Sequence, residues 1–171
     1  MSKVKKPKLV AQPLCATKQT RNEATDSIDA RSYKRHLEID VLARTLWGEA
    51  RGEGAEGMEA VANVILNRVA LAREKGGYWW GDNVIEVCQQ PYQFSCWNKD
   101  DPNREKLINL DEEDVYFVTA KRIATRAVLG FLEDKTKGAT HYHARSVMPY
   151  WARSLVKIAV IGDHIFYKDK A

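Results

Sequence analysis

The sequence predicts an α+β domain, mainly helical, with a small antiparallel sheet near its carboxyl end. Three observations carry that prediction. Residues 37–50 and 56–72 each repeat apolar side chains at helical spacing, and a third such run follows Asp111. After Gly138 the texture changes to short alternating runs rich in β-branched and aromatic residues. At 171 residues the chain has the length of one domain with a core of its own.

The elements follow in order. Residues 1–35 are rich in Lys, Thr, Asn, Asp and Gln with no apolar period, so a flexible basic arm is expected there, with the folded domain over 36–171. Ile39, Leu42, Ala43, Leu46, Trp47 and Ala50 make the apolar face of a first helix, which Gly52 and Gly54 break. Met58, Val61, Ala62, Ile65, Leu66 and Val69 mark a second, central helix, ended by Gly76-Gly77. Tyr78-Trp79-Trp80 forms an aromatic loop, and Asp82-Asn83 caps a short helix that Pro91 stops. Asp111, Glu112 and Glu113 suit the positive end of a long helix carrying Phe117, Ala120, Ile123, Ala124, Ala127, Val128 and Phe131, expected to end before Lys137-Gly138. Thr140-His141-Tyr142-His143 reads as a strand, and residues 157–168 as a hairpin turning at Gly162-Asp163.

Composition bounds the function. A net charge of +4 favours anionic partners without choosing among nucleic acid, lipid and cell wall. The basic residues are spread along the chain and offset by 23 acids, and no nucleic-acid-binding motif is present, so no nucleic-acid partner is expected. No apolar run has the length of a membrane span, so stable insertion is not expected. Met1 to Lys8 has the charge of a signal-peptide start. Gln12, Pro13, Lys18 and Gln19 are too polar for the apolar core of one, so no export signal is expected. Three cysteines argue against a disulfide framework. Cys88 and Cys96 can form one bridge in an oxidising compartment or remain as two reduced thiols. No zinc-ligand spacing accompanies them.

Glu49 is the residue with the most chemical content. It sits on the flank of the first helix's apolar stripe, where partial desolvation raises a carboxyl pKa. A carboxylic acid that keeps its proton near neutral pH can donate it to a leaving oxygen. The competing reading is a helix-terminal Glu pointing to water. Glu53, Glu56 and Glu59 are candidate partners, or they serve the amino end of the second helix. Asn67 and Arg68 form a polar pair on a largely apolar helix and need partners if buried, and Asn67 is a candidate to buttress Glu49 from behind.

The run Leu46-Trp47-Gly48-Glu49-Ala50-Arg51-Gly52-Glu53, followed by Glu56-Gly57 and residues 60–69, resembles the SleB/CwlJ family of cell-wall hydrolases. That family includes spore cortex-lytic enzymes and phage and prophage endolysins. The likeness continues at Gln93-Phe94-Ser95, at Ala139-Thr140-His141-Tyr142-His143 and at Gly162-Asp163-His164-Ile165-Phe166-Tyr167, covering roughly residues 37–168. It implies a lysozyme-like, lytic-transglycosylase-like domain with a single catalytic Glu, and it carries that role onto Glu49. No metal or other cofactor is implied.

A single acid suits a lytic transglycosylase, which needs neither a second carboxylate nor water. Glu protonates the bridging oxygen, and its carboxylate then helps the sugar's own C6 hydroxyl close on the anomeric carbon. A hydrolytic muramidase is the alternative, and a non-catalytic wall-binding module a further one. Gln93, Ser95, His141, Tyr142 and His143 are candidate peptidoglycan-binding residues on the segments of the likeness. His141 and His143 share one strand face and Tyr142 takes the other, so only one face is expected to meet the cleft. Tyr78 and Trp80 line a subsite or pack their loop. The resemblance with the expected lack of a leader implies an enzyme made in a host cytoplasm, acting as a monomer on the wall once a holin opens the membrane.

Overall fold

The computed structural model describes the backbone of residues 16–170, with side chains from Asp26 onward. The described chain divides into two units between Lys34 and Arg35. Helix α1 spans Ala16–Ala50, a start some twenty residues earlier than the apolar period indicates. No glycine or proline stands between Pro13 and Gly48, so nothing in that stretch interrupts the helix. The side chains of Asp26 to Leu37 are exposed, which is why they show no apolar stripe. The arm expected over residues 1–35 is therefore helical from Ala16, and its first fifteen residues lie outside those described.

A 3-10 turn at Arg51–Glu53 and Gly54, with φ 69°, separate α1 from α2 (Gly54–Glu74). Helix α2 is the central element, burying Met58, Val61, Ala62, Ile65 and Val69 against α1, α3 (Val84–Gln89) and α5 (Val115–Val128). Met58, Val61, Ile65 and Val69 removed from water each contribute about 1.5–3 kcal/mol before entropy is counted, and Ala62 less. Asn83 caps α3 by accepting from Glu86 N at 3.1 Å. Asp114 caps α5 through Tyr116 N and Phe117 N and also accepts from Trp47 Nε1 at 3.2 Å. A short α4 (Arg104–Ile108), for which the sequence carries no stated expectation, lies between them. Helix α5 ends at Val128 because Gly130 turns the chain with φ 80°. Phe131, expected on this helix, therefore lies beyond its end.

Strands β1 (His141–Ala144), β2 (Val156–Ile161) and β3 (His164–Lys168) form an antiparallel sheet in the order β1-β3-β2, leaving β1 on an edge. Phe166 of β3 packs with Ala60 and Val64 of α2 in a second cluster, and Tyr142 touches both clusters. Side chains of α2 hold the approach to β1. Asn63 donates to Glu133 O at 3.1 Å and accepts from Lys135 N, and Asn67 donates to Ala139 O at 3.0 Å. The central helix thus sets where β1 begins.

Candidate active site

Glu49 lies in the last turn of α1, at a cleft of ≈ 280 Å³ whose lining includes Arg68, Gln93, Phe94, His141, Tyr142 and Trp151. Its position on the flank of the apolar stripe leaves the carboxyl largely buried. That burial raises its pKa above the ordinary 4.5. Hydrogen bonds from Tyr142 and from the thiol and backbone of Cys96 pull the other way without cancelling it, and the charge of Asp101 adds to the rise. The Tyr142 hydroxyl donates to Glu49 Oε2 at 3.0 Å. Glu49 is therefore held by neutral donors rather than by a cation, which leaves its proton available to a bound group. The water-facing alternative does not hold.

Arg68 forms the opposite support. It is 6% exposed, donates from Nε to Thr140 O at 2.7 Å and from Nη1 to Gln93 Oε1 at 3.3 Å, and lies over the rings of Trp80 and Phe94. It has no carboxylate partner among the described ion pairs. Burial lowers its pKa, and the contacts to two carbonyl oxygens and two aromatic faces compensate the buried charge.

The predicted residues separate into those at the cleft and those elsewhere. Gln93, His141 and Tyr142 line it with Glu49. The expectation that only one strand face meets the cleft fails, because His141 and Tyr142 point to opposite faces and both contribute. They are the first two residues of β1, and both are in the cleft's lining. Burial, then the charge of Arg68, lowers the His141 pKa and favours its neutral form. His143 is withdrawn from the cleft. It is buried against Tyr167, with Nε2 3.0 Å from that hydroxyl and its ring stacked on the tyrosine.

Ser95 is exposed and does not line the cleft. Trp80 is 1% exposed and donates from Nε1 to Arg68 O, with Tyr78 packed on its ring, so both belong to the support beneath Arg68 rather than to a sugar-facing surface. Asn67 does not back Glu49; its amide binds Asp134, Thr136 and Ala139. Glu53 is no partner either, since its Oε2 accepts from Asp163 N at 2.7 Å and ties down the β2–β3 turn. Glu59 bridges Arg126 and Lys135.

Tyr92, Phe94 and Trp151 at the cleft, and Cys96 as a donor to Glu49, are not among the predicted residues. Trp151 stands 5.5 Å from His141, ring centre to ring centre. Cys96 follows directly on Gln93-Phe94-Ser95, so extending that motif by one residue finds it. Cys88 and Cys96 are both buried free thiols. Burial pushes Cys88 up to about 12, and burial with the charge of Glu49 also raises Cys96, so both stay protonated and Cys96 can donate to the carboxyl. No group of three or more metal-ligating side chains occurs among the described residues.

Comparison with known proteins gives a consistent likeness. The chain is 33% identical over 132 residues to a spore cortex-lytic enzyme of Halalkalibacterium halodurans, covering 75% of this chain and 34% of that protein. It is 30% identical over 135 residues to one of Bacillus cereus, covering 77% of this chain and 44% of that protein. The chain thus spans less than half the length of these relatives. Among solved structures, it shares the fold of the catalytic domain of the germination-specific lytic transglycosylase SleB from Bacillus anthracis. The TM-score is 0.58 at 31% identity, covering 77% of this chain and 93% of that domain. The catalytic domain of the Bacillus cereus SleB protein matches equally, over 89% of its length. Residues 52–167 match the Cell Wall Hydrolase family, a span that begins three residues beyond Glu49, and the chain is a member of that family.

Proposed function

We propose that this protein cleaves peptidoglycan glycan strands between N-acetylmuramic acid and N-acetylglucosamine, as a lytic transglycosylase with Glu49 as its only acid and base. The observation that carries this reading is Glu49 itself, a carboxyl with a raised pKa at a cleft where no other lining residue is a carboxylate. Membership of the family and the likeness to a lytic transglycosylase domain support the substrate class.

In the first step the Glu49 proton passes to the bridging oxygen as the C1–O bond breaks, releasing the leaving sugar as an alcohol. Positive charge develops at the anomeric carbon beside the new Glu49 carboxylate. In the second step that carboxylate takes the proton of the C6 hydroxyl while the C6 oxygen bonds to C1. The product is a 1,6-anhydromuramoyl end, and Glu49 is again protonated. Tyr142 and Cys96 donate to Glu49 throughout and stabilise its carboxylate stage. The aromatic and amide lining of the cleft suits the apolar ring faces and N-acetyl groups of the strand.

A hydrolytic muramidase is the second reading. The observation that favours it is Asp101, whose charge reaches Glu49. Purified sacculi test the first claim: the parent clears them, and Glu49→Gln binds them without clearing. Clearing by Glu49→Gln at the parental rate would remove Glu49 from the mechanism.

A role in lysing a bacterial host is the finer proposal, supported by the net charge of +4, which suits approach to an anionic wall. Expression in a bacterium with and without a holin tests it. Lysis only with the holin is expected, and no lysis in either case contradicts it.

A further inference from the structure

Tyr92 stands out twice. It has φ 64°, one of two non-glycine residues with positive φ among those described, and a bulky side chain rarely adopts that conformation. It is also 87% exposed, beside residues that are firmly held: Phe94 is buried and Gln93 bonds to Arg68. The left-handed turn thus sets an aromatic ring in solvent on an anchored segment. Nothing in the packing of the core uses that ring.

Its position gives the ring a use. Tyr92 lines the Glu49 cleft and also a second depression of ≈ 530 Å³, whose other walls include Gln90, Trp97, Asn98 and Asp100. Those walls offer what an N-acetylated pyranose needs: an aromatic surface, amides and a carboxylate. We infer that the second depression is an adjoining sugar subsite and that Tyr92 is the platform shared by the two. A glycan strand then runs from Glu49 across the Tyr92 ring and onward toward Trp97. This inference rests on the glycan-cleaving reading and extends it to how the strand is gripped.

The test compares the parent, Tyr92→Gly and Tyr92→Phe on soluble polymeric glycan strands, with thermal melting of each. Glycine accepts positive φ without strain, so Tyr92→Gly is expected to melt no lower than the parent. Its KM is expected to rise roughly three- to tenfold, the size of a lost stacking contact. Tyr92→Phe keeps the ring and is expected to stay within about twofold of the parental KM, since it gives up no stacking. A parental KM in Tyr92→Gly, an equal loss in Tyr92→Phe, or a lowered melting temperature in Tyr92→Gly overturns the inference and leaves the cleavage reading standing. A parent that releases nothing from sacculi overturns the cleavage reading itself, and the inference with it.

Discussion

The hydroxyl of Tyr142 reaches across 93 residues of sequence to donate a hydrogen bond of 3.0 Å to Glu49 Oε2. It counteracts part of the rise that burial imposes on the Glu49 pKa. Tyr142→Phe removes the donor and keeps the ring. The Glu49 pKa then moves higher, so the alkaline limb of the rate profile shifts to higher pH, because the enzyme starts from protonated Glu49. The carboxylate stage also loses a charge-assisted bond, and kcat is expected to fall roughly tenfold. A limb that stays in place or moves to lower pH would show that Tyr142 does not tune this acid.

Glu49 links activity to stability. Its folded pKa lies above the ordinary 4.5, so between those two values the folded chain holds a proton that the unfolded chain has lost. Stability from this group is therefore complete below 4.5 and falls as pH rises through the folded value. Glu49→Gln is uncharged at every pH. Its advantage over the parent in denaturant midpoint is expected to grow with pH across that window, while its rate falls by about 100-fold or more. A constant difference between the two proteins at all pH values refutes the raised pKa.

Arg68 is a cation held by oxygens and rings, and lysine cannot reproduce that geometry. Arg68→Lys is expected to cost about 2–3 kcal/mol in equilibrium unfolding, since Thr140 O and Gln93 lose their donors in a buried setting. A loss below about 0.5 kcal/mol, the range of ordinary surface changes, would contradict the role.

Gly48 is where α1 meets Cys96. A Cβ at position 48 would stand 2.5 Å from Cys96 Cβ and 2.8 Å from its Sγ. Gly48→Ala therefore forces Cys96 away from Glu49 and is expected to cost about 1–3 kcal/mol, with a loss of rate. Cys96→Gly in the same chain removes both contacted atoms and should restore part of the stability. Measured as a double-mutant cycle, the two changes should be far from additive. Additive effects would place the strain elsewhere.

Much of this architecture is legible in the sequence, and the failures have physical causes. The apolar period finds α2 and the end of α1, because those faces are buried. It misses residues 16–36 of α1, because the described side chains there, from Asp26 on, leave no buried stripe and only propensity and the lack of breakers signal the helix. It overruns α5, because Phe131 keeps the apolar spacing while Gly130 has already turned the chain. Glu49 is legible because its motif and its place on the stripe agree. Asn67 and Arg68 show what single-residue position hides. Neighbours on a helix point about 100° apart, so Asn67 meets the loop before β1 while Arg68 turns into the cleft. That His141 and Tyr142 both reach the cleft depends on how β1 packs in the fold, which alternation along one strand does not encode.

The most direct test of the central claim is the mass of the muropeptides that the parent releases from purified sacculi, with Glu49→Gln digested in parallel. A buried acid working alone predicts 1,6-anhydromuramoyl ends, each lighter by one water than a reducing end, and no release by the variant. Reducing ends from the parent, or anhydro ends from Glu49→Gln, would contradict the account.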